Sequence, residues 1–258
     1  MPKSRPRKID YLLVDVSNSF TKIAFSTTKR VGASIRMPTA RLTRSAFQHL
    51  FQKRQANAVI VSSVVPKKNA AIRSAAAGAR VLFIDTKCEL GVGVDYAAPR
   101  TIGADRLANA AAVAQLYGQP AIVVDFGTAV TFDVVSADGN YVGGVIAPGL
   151  EAMTSFLYHR TALLPKLTLR EPGSAIGKTT RGAMMSGAIY GYRGLVREII
   201  ARIANEMLPG RKVRVVATGG YAQLIARQLP EIEAVHPGLT LEGLRLIANL
   251  NLEARGRR

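Results

Sequence analysis

The sequence predicts an α/β fold of two similarly built lobes, on three observations. Short β-branched runs alternate with helical patterns along the chain, the order from which sheet-and-helix lobes are built. Two strand-rich blocks, residues 11–35 and 121–146, share one construction: a buried strand ending in an aspartate, a turn of small residues, and a returning strand. The 258 residues, 48% of them hydrophobic, suffice to bury one large core or two smaller ones.

The first block, YLLVDVSNSFTKIAFSTTKRVGASI, reads as two or three antiparallel strands with a turn at 17–19. Helical patterns follow at 44–55 and 69–78, and β-branched strands at 58–65 and 81–84, the first of these stopped by Pro66. Residues 103–117 carry their apolar positions on one helical face and end at Gly118 and Pro120. The second block, AIVVDFGTAVTFDVV, joins 141–146 through the Asp138-Gly139-Asn140 turn as a hairpin closed by Pro148-Gly149. A long helix at 182–208, a strand at 213–217 and helices at 221–228 and 241–250 complete the chain. Laid so that Asp15 meets Asp125, the two blocks are identical at Val14/Val124, Asp15/Asp125 and Thr21/Thr131. The expected domains are a basic tail (1–8), an N-terminal lobe (9–118), a C-terminal lobe (119–250) and a second basic tail (251–258).

Lys and Arg number 35 against 17 Asp and Glu, a net charge of +18, so the surface attracts anions without saying which. Cys88 is the only cysteine, which excludes an intrachain disulfide and a cysteine zinc site and points to a reducing compartment. His49, His159 and His236 are too scattered for metal ligation. The basic start resembles the head of a signal peptide, but the apolar stretch after it is cut off by Asp15. Nothing approaches the roughly 18 apolar residues of a membrane span, so a cytoplasmic protein without a membrane partner is expected. Lys3, Arg5, Arg7 and Lys8, with Arg255, Arg257 and Arg258, read as solvated ends. Neither a recognition helix nor an aromatic-basic stacking surface is legible, and no specific nucleic-acid partner is expected.

A small-residue turn after a buried strand lets backbone N–H groups approach a phosphate, and a carboxylate at the strand end can hold Mg²⁺. Asp15-Val16-Ser17-Asn18-Ser19 and Asp125-Phe126-Gly127-Thr128 both have this form, and two such turns facing one another would hold ATP between lobes. Thr218-Gly219-Gly220 adds a strand-to-helix glycine turn that admits a nucleotide. Each segment alone would also be an ordinary turn. There is no GxxxxGK[ST] and no GxGxxG after a strand, which disfavours a P-loop NTPase and a Rossmann dehydrogenase. Asp105 falls in the first turn of its helix, where the helix dipole favours the ionised form, with Arg106 beside it. Such a carboxylate can accept a hydroxyl proton while the arginine binds a carboxylate or a phosphate; a helix-capping aspartate beside a surface arginine would look the same.

Taken together, Asp15 to Lys22, Ser62-Ser63-Val64-Val65-Pro66, Tyr96 to Arg106, Asp125 to Thr128, Gly143 to Gly149 and Thr218-Gly219-Gly220 resemble the type III pantothenate kinases. The resemblance runs from residue 10 to residue 250, and the Tyr-x-x-Pro-x-x-x-Gly-x-Asp-Arg segment at 96–106 is its most specific part. It implies an actin-like (acetate and sugar kinase) fold of duplicated ribonuclease-H-like lobes with a cleft between. It also implies ATP-dependent phosphorylation of pantothenate, the first step towards coenzyme A, by a homodimer needing a monovalent cation, K⁺ or NH₄⁺.

Carried over residue by residue, Asp105 would be the proton acceptor, with Tyr96, Gly103, Ala104, Arg106 and Thr180 around pantothenate. ATP would meet Asp15, Val16, Ser17, Asn18, Ser19, Phe20, Thr21 and Lys22 together with Thr128, and Asp125 would bind the potassium. The departure is in the first loop, where Ser17 and Ser19 stand in place of the family's usual Gly and Thr. A serine forced to positive φ at position 17 would cost about 1 kcal/mol. A non-catalytic relative acting as a regulator or nucleic-acid-associated factor would explain the charge and the altered loop. A chain released from catalysis, however, has no need of Asp15, Asp105, Arg106, Asp125 and Thr128 together. Another small-molecule kinase on this fold would leave residues 96–106 unexplained.

Overall fold

The computed structural model describes residues 10–53, 56–76, 78–207 and 213–252. In chain order the elements are β1 (Tyr11–Val16), β2 (Phe20–Ser26), β3 (Val31–Pro38), α1 (Arg44–Lys53), β4 (Ala58–Ser63), α2 (Pro66–Ala75), β5 (Arg80–Phe83), β6 (Gly93–Val94) and α3 (Ala104–Tyr117). They continue with β7 (Ala121–Phe126), β8 (Ala129–Val135), β9 (Asn140–Pro148), α4 (Leu150–Arg160), α5 (Thr180–Met207), β10 (Arg214–Gly219), α6 (Ala222–Ala226), β11 (Ala234–Val235) and α7 (Leu239–Leu252). The chain divides into two compact units, one formed by residues up to Gln115 with those from Gly238 on, the other by Leu116–Pro237.

The first unit is a five-stranded sheet in the order β3-β2-β1-β4-β5. β1 pairs antiparallel with β2 and parallel with β4, so β1, the most apolar strand, lies at the centre. The pleat sends alternate residues to opposite faces. Leu12, Val14, Val16, Ile23, Val59 and Val61 meet Phe47 of α1 and Ile72 and Ala75 of α2 in one core. α2 starts earlier than its alanine-rich stretch suggests, because Pro66 stands in its first turn, where a missing N–H costs nothing.

α7 packs against β1 and β4, although the sequence places residues 119–250 in a single lobe. The allegiance comes from specific contacts. A Cβ on Gly243 would collide with the Ala108 carbonyl of α3, Thr240 Oγ1 donates to Asn109 Oδ1 at 2.9 Å, and Arg245 and Asn249 both donate to the Thr28 carbonyl. Asn251 and Leu252, assigned from sequence to the second tail, are the last residues of α7. The first tail (1–8) and residues 253–258 lie outside the described residues.

The second unit repeats the plan. Its strands run β11-β10-β7-β8-β9, with β7 antiparallel to β8 and parallel to β10. Met185, Ile189, Tyr192, Val196 and Ile200 form one face of α5 and pack with α6 on Ile122, Val124, Phe126 and Phe132, the spacing of a 3.6-residue period. Thr179 caps α5 through its hydroxyl to the Gly182 N–H at 3.0 Å.

The duplication is therefore real, but its register differs from the sequence overlay. Asp15 stands opposite Lys22 on β2 and Ser62 on β4; Asp125 stands opposite Thr131 on β8 and Thr218 on β10. The first turn holds one residue more than the second, so Lys22 is the counterpart of Thr131. The Thr21/Thr131 identity is not a structural equivalence, for Thr21 stands opposite Val16.

Candidate functional site

In the first unit the site grows from the ends of β1 and β4. Val64 N–H donates to the Val16 carbonyl at 3.0 Å, extending the pairing one residue past β4. Gly103 then comes close enough that a Cβ on it would stand 3.5 Å from Val64 Cγ1. That approach brings the start of α3, and with it Asp105, to the strand ends where Asp15 is buried. Asp105 is a first-turn carboxylate, and its Oδ1 accepts the Arg106 N–H at 2.9 Å, which fixes the side chain while Oδ2 is left out of that bond. Gly103 O receives the Arg106 and Leu107 N–H groups, and buried Leu107 anchors the helix. Tyr96 is half-buried, and residues 99–101 form the 3-10 turn that leads into Gly103.

The loop after β1 is a tight turn in which Ser17 N–H donates to Phe20 O at 3.2 Å. Thr39 braces it from beneath, its hydroxyl 2.7 Å from Ser17 O and 3.0 Å from the Thr21 hydroxyl. No residue other than glycine has a positive φ among the described residues, so Ser17 carries none of the strain expected of a serine in a glycine position. Asn18, Ser19 and Phe20 are exposed, and Arg36 lies 3.5 Å over the Phe20 ring. Val16 and Thr21 are buried, and Val16 packs in the first core. Alternation puts both on the face away from Asp15 and Lys22, so any part they take in nucleotide binding falls to their backbones.

In the second unit two glycine turns come close to Asp125, and a third packs on the loop that follows it. A Cβ on Gly219, at φ +94°, would stand 2.6 Å from Asp125 Oδ1 and 2.6 Å from Phe126 N. Gly149 presses on the carbonyls of Gly127 and Thr128, and Gly127 N–H closes its turn on Ala129 O at 3.0 Å. Thr128 is exposed at the tip. Thr131, Asp125 and Thr218 make a rung of oxygen-bearing side chains across β8, β7 and β10. The corresponding rung of the first unit, Lys22, Asp15 and Ser62, contains a cation.

Thr180 opens α5 and is exposed; its neighbours Lys178, Thr179 and Arg181 line an open groove of about 620 Å³ with Arg170 and Ser174. The residues carried over from the resemblance thus fall into a first-unit group at the ends of β1, β4 and α3, a second-unit group around Asp125, and Thr180 at the start of α5. Sequence reasoning assigned no role to Ser62, and gave Gly219 only its part in a glycine turn that admits a nucleotide, not its close approach to Asp125. The signal for Gly219 was its place in the glycine turn after β10; the signal for Ser62 was its place at the end of a β-branched run. Cys88 stays outside both groups: burial pushes its thiol pKa up, and the S–H reaches the Phe83 carbonyl at 3.6 Å.

Comparison with known proteins agrees with the motifs. The sequence profile of the family described as type III pantothenate kinase matches residues 11–202. A type III pantothenate kinase of Akkermansia muciniphila is 47% identical over 248 residues, covering 94% of this chain and 99% of its own. Among solved structures, a Campylobacter jejuni protein provisionally described as a Baf-family transcriptional activator aligns with TM-score 0.62 at 18% identity, over 94% of this chain and 99% of its own. Component A of (R)-2-hydroxyglutaryl-CoA dehydratase from Acidaminococcus fermentans aligns with TM-score 0.53 at 14% identity, over 97% and 100%. At these identities the structural matches speak for an actin-like α/β fold and nothing further.

Proposed function

As a member of the type III pantothenate kinase family, the chain phosphorylates pantothenate with ATP and a divalent metal in coenzyme A biosynthesis, and we propose that Asp105 is the general base of that reaction. The observation that supports this assignment is the approach of Gly103, at the start of α3, to Val64, which is hydrogen-bonded to Val16 next to Asp15. In this reading Asp105 takes the proton as the primary hydroxyl of pantothenate attacks the γ-phosphorus in line, and the proton leaves with its carboxylate. Arg106 and Lys22 supply positive charge for the substrate carboxylate and the phosphates. Tyr96, Gly103 and Ala104 are the first unit's proposed contacts with pantothenate, and Thr180 at the start of α5 is proposed separately as a contact of the second unit.

The residues present suit the two cations. Asp15, with Lys22 opposite it, suits Mg²⁺-bound phosphate, where Mg²⁺ neutralises charge on the phosphate oxygens. The oxygen-only rung of Thr131, Asp125 and Thr218 suits a monovalent cation, K⁺ or NH₄⁺, since it offers hard oxygen donors and no competing side-chain cation. In the first unit the loop of residues 15–22 is the proposed ATP contact, and in the second unit Thr128 at the Gly127 turn is proposed to meet ATP.

We also propose a homodimer, and an apolar patch in the second unit supports it. Phe156 is 62% exposed and Met153, Leu157 and Tyr158 are exposed beside it on α4, an apolar patch that isolated monomers seldom leave open. We place the enzyme in the cytoplasm; no helix among the described residues is long and apolar enough to cross a membrane. The regulator reading loses one of its two motives, because the altered first loop carries no backbone strain, and is left with the net charge alone. The test is ATP-dependent phosphorylation of pantothenate by the purified chain, with and without K⁺ or NH₄⁺. Turnover that needs the monovalent cation supports both halves of the proposal, and absence of turnover under every condition removes it.

A further inference from the structure

We propose that Ser62 is a positioning residue for the Asp15 site, its hydroxyl orienting the shell of a divalent metal held there; this rests on the reading of Asp15 as the carboxylate that faces Mg²⁺ and ATP. Ser62 is the last fully buried residue of β4 and stands in parallel register with Asp15. In-register neighbours project from the same face, on strands about 4.8 Å apart. Its Oγ is buried and has no hydrogen-bond partner among the described residues. The next residue, Ser63, differs: its Oγ accepts the Val65 N–H at 3.3 Å and so serves the turn.

Packing does not account for the hydroxyl. The four residues of β4 before Ser62 are Ala, Val, Ile and Val, and an alanine or valine at 62 would fill the same sheet without burying a polar atom. The second sheet repeats the arrangement from a different sequence. Thr218 stands in register with Asp125, is fully buried, and its Oγ1 has no hydrogen-bond partner among the described residues. A buried hydroxyl beside each strand-end carboxylate points to a partner that comes with the ligand.

The chemistry is specific. An ionised carboxylate only accepts hydrogen bonds, whereas a serine hydroxyl donates one and accepts others. Ser62 can therefore accept from a metal-bound water while donating to a phosphate oxygen or to Asp15, a pairing that Asp15 alone cannot make. Such outer partners of a metal fix its ligands and commonly alter affinity by about 10–100-fold when removed.

The experiment is calorimetric titration of ATP binding against Mg²⁺ without pantothenate, so that no turnover enters, on the wild type, Ser62→Ala and Asp15→Asn, with melting temperatures for each. Ser62→Ala should melt at or above the wild-type temperature and need about tenfold more Mg²⁺ for half-maximal ATP binding, and Ser62→Thr, which keeps the hydroxyl, should recover part of that loss. Asp15→Asn should shift the midpoint further. A wild-type midpoint in Ser62→Ala beside a shifted one in Asp15→Asn overturns the role of Ser62 alone. So does a Ser62→Ala variant that loses melting temperature without a change in midpoint. An unshifted Asp15→Asn overturns the reading of Asp15 and the inference with it.

Discussion

Gly219 and Asp125 share one corner of the second sheet so closely that a Cβ on the glycine would stand 2.6 Å from the aspartate's Oδ1. The glycine is required twice over, because its φ of +94° is also one that side chains rarely adopt. Gly219→Ala should therefore cost about 1–3 kcal/mol of stability and push the Asp125 carboxylate from its place. Thermal denaturation with and without K⁺ measures both effects: the variant should melt lower and gain less from K⁺ than the wild type. An unchanged melting temperature would mean that the β10 turn relaxes freely.

Asp105→Asn keeps the size of the side chain and an oxygen to accept the Arg106 N–H, but it cannot take a proton. A general base contributes about 10²–10⁴-fold, so kcat should fall by that range while the KM for pantothenate and the melting temperature stay near wild type. Near-normal turnover removes the mechanism. Loss of the fold would return Asp105 to a purely structural place in the first turn of α3.

Asp125→Asn should fail differently. Removing the charge from the oxygen rung should raise the K⁺ or NH₄⁺ concentration for half-maximal activity about tenfold or more and weaken nucleotide binding, with the Mg²⁺ requirement held. A variant whose monovalent requirement matches wild type separates Asp125 from the cation.

What the sequence revealed and what it withheld divide along the range of the interactions. β1 and β7 are legible because each is an apolar run ended by an aspartate, and α3 because its alanine-rich face is closed by Gly118. α4 was not anticipated: residues 150–160 segregate apolar from polar side chains weakly, and Phe156 and Leu157 are exposed. α7 is legible as a helix, but its place in the first unit depends on Gly243 meeting Ala108 and Thr240 meeting Asn109, contacts between residues far apart in the chain. The overlay's pairing of Thr21 with Thr131 was off by one position because turn length sets register, and a sequence overlay cannot see that the first turn is one residue longer. The carboxylates of the candidate site were legible as strand ends and a helix start; the buried hydroxyl beside Asp15 was not, since register across parallel strands leaves no local mark.

Ser17 shows how an expectation changes once the backbone is known. A positive φ there would have made glycine an improvement, yet the turn closes by Ser17 N–H to Phe20 O without one. Ser17→Gly should leave the KM for ATP near wild type and lower stability by about 0.4–1 kcal/mol through added freedom of the unfolded chain. A KM for ATP that rises severalfold would assign the serine hydroxyl a direct part in nucleotide binding.

Arg193 on α5 is buried, and Glu171 meets it with both oxygens, at 2.8 and 2.7 Å, while the carbonyls of Leu224 and Ile225 take its other N–H groups. Hydrogen bonding to Arg193 holds the Glu171 pKa below its ordinary value of 4.5. A carboxylate depressed in the folded state stabilises fully above its unfolded pKa, and the contribution disappears as pH falls through the lower folded value. Above about pH 5 the contribution is complete; it declines as the pH falls below 4.5 and through the lower folded value, and with it goes the tie between α5 and the stretch around residue 171, while the bonds of Arg193 to the α6 carbonyls stay. Glu171→Gln should therefore cost about 1–2 kcal/mol near neutral pH, a moderate figure because Glu171 remains 36% exposed and water replaces part of what the carboxylate gives. Melting curves of the wild type and Glu171→Gln between pH 3 and 7 test this: the two should differ most at pH 6–7 and converge towards pH 3. A difference that stays constant across the range would show that the glutamate acts by shape and not by charge.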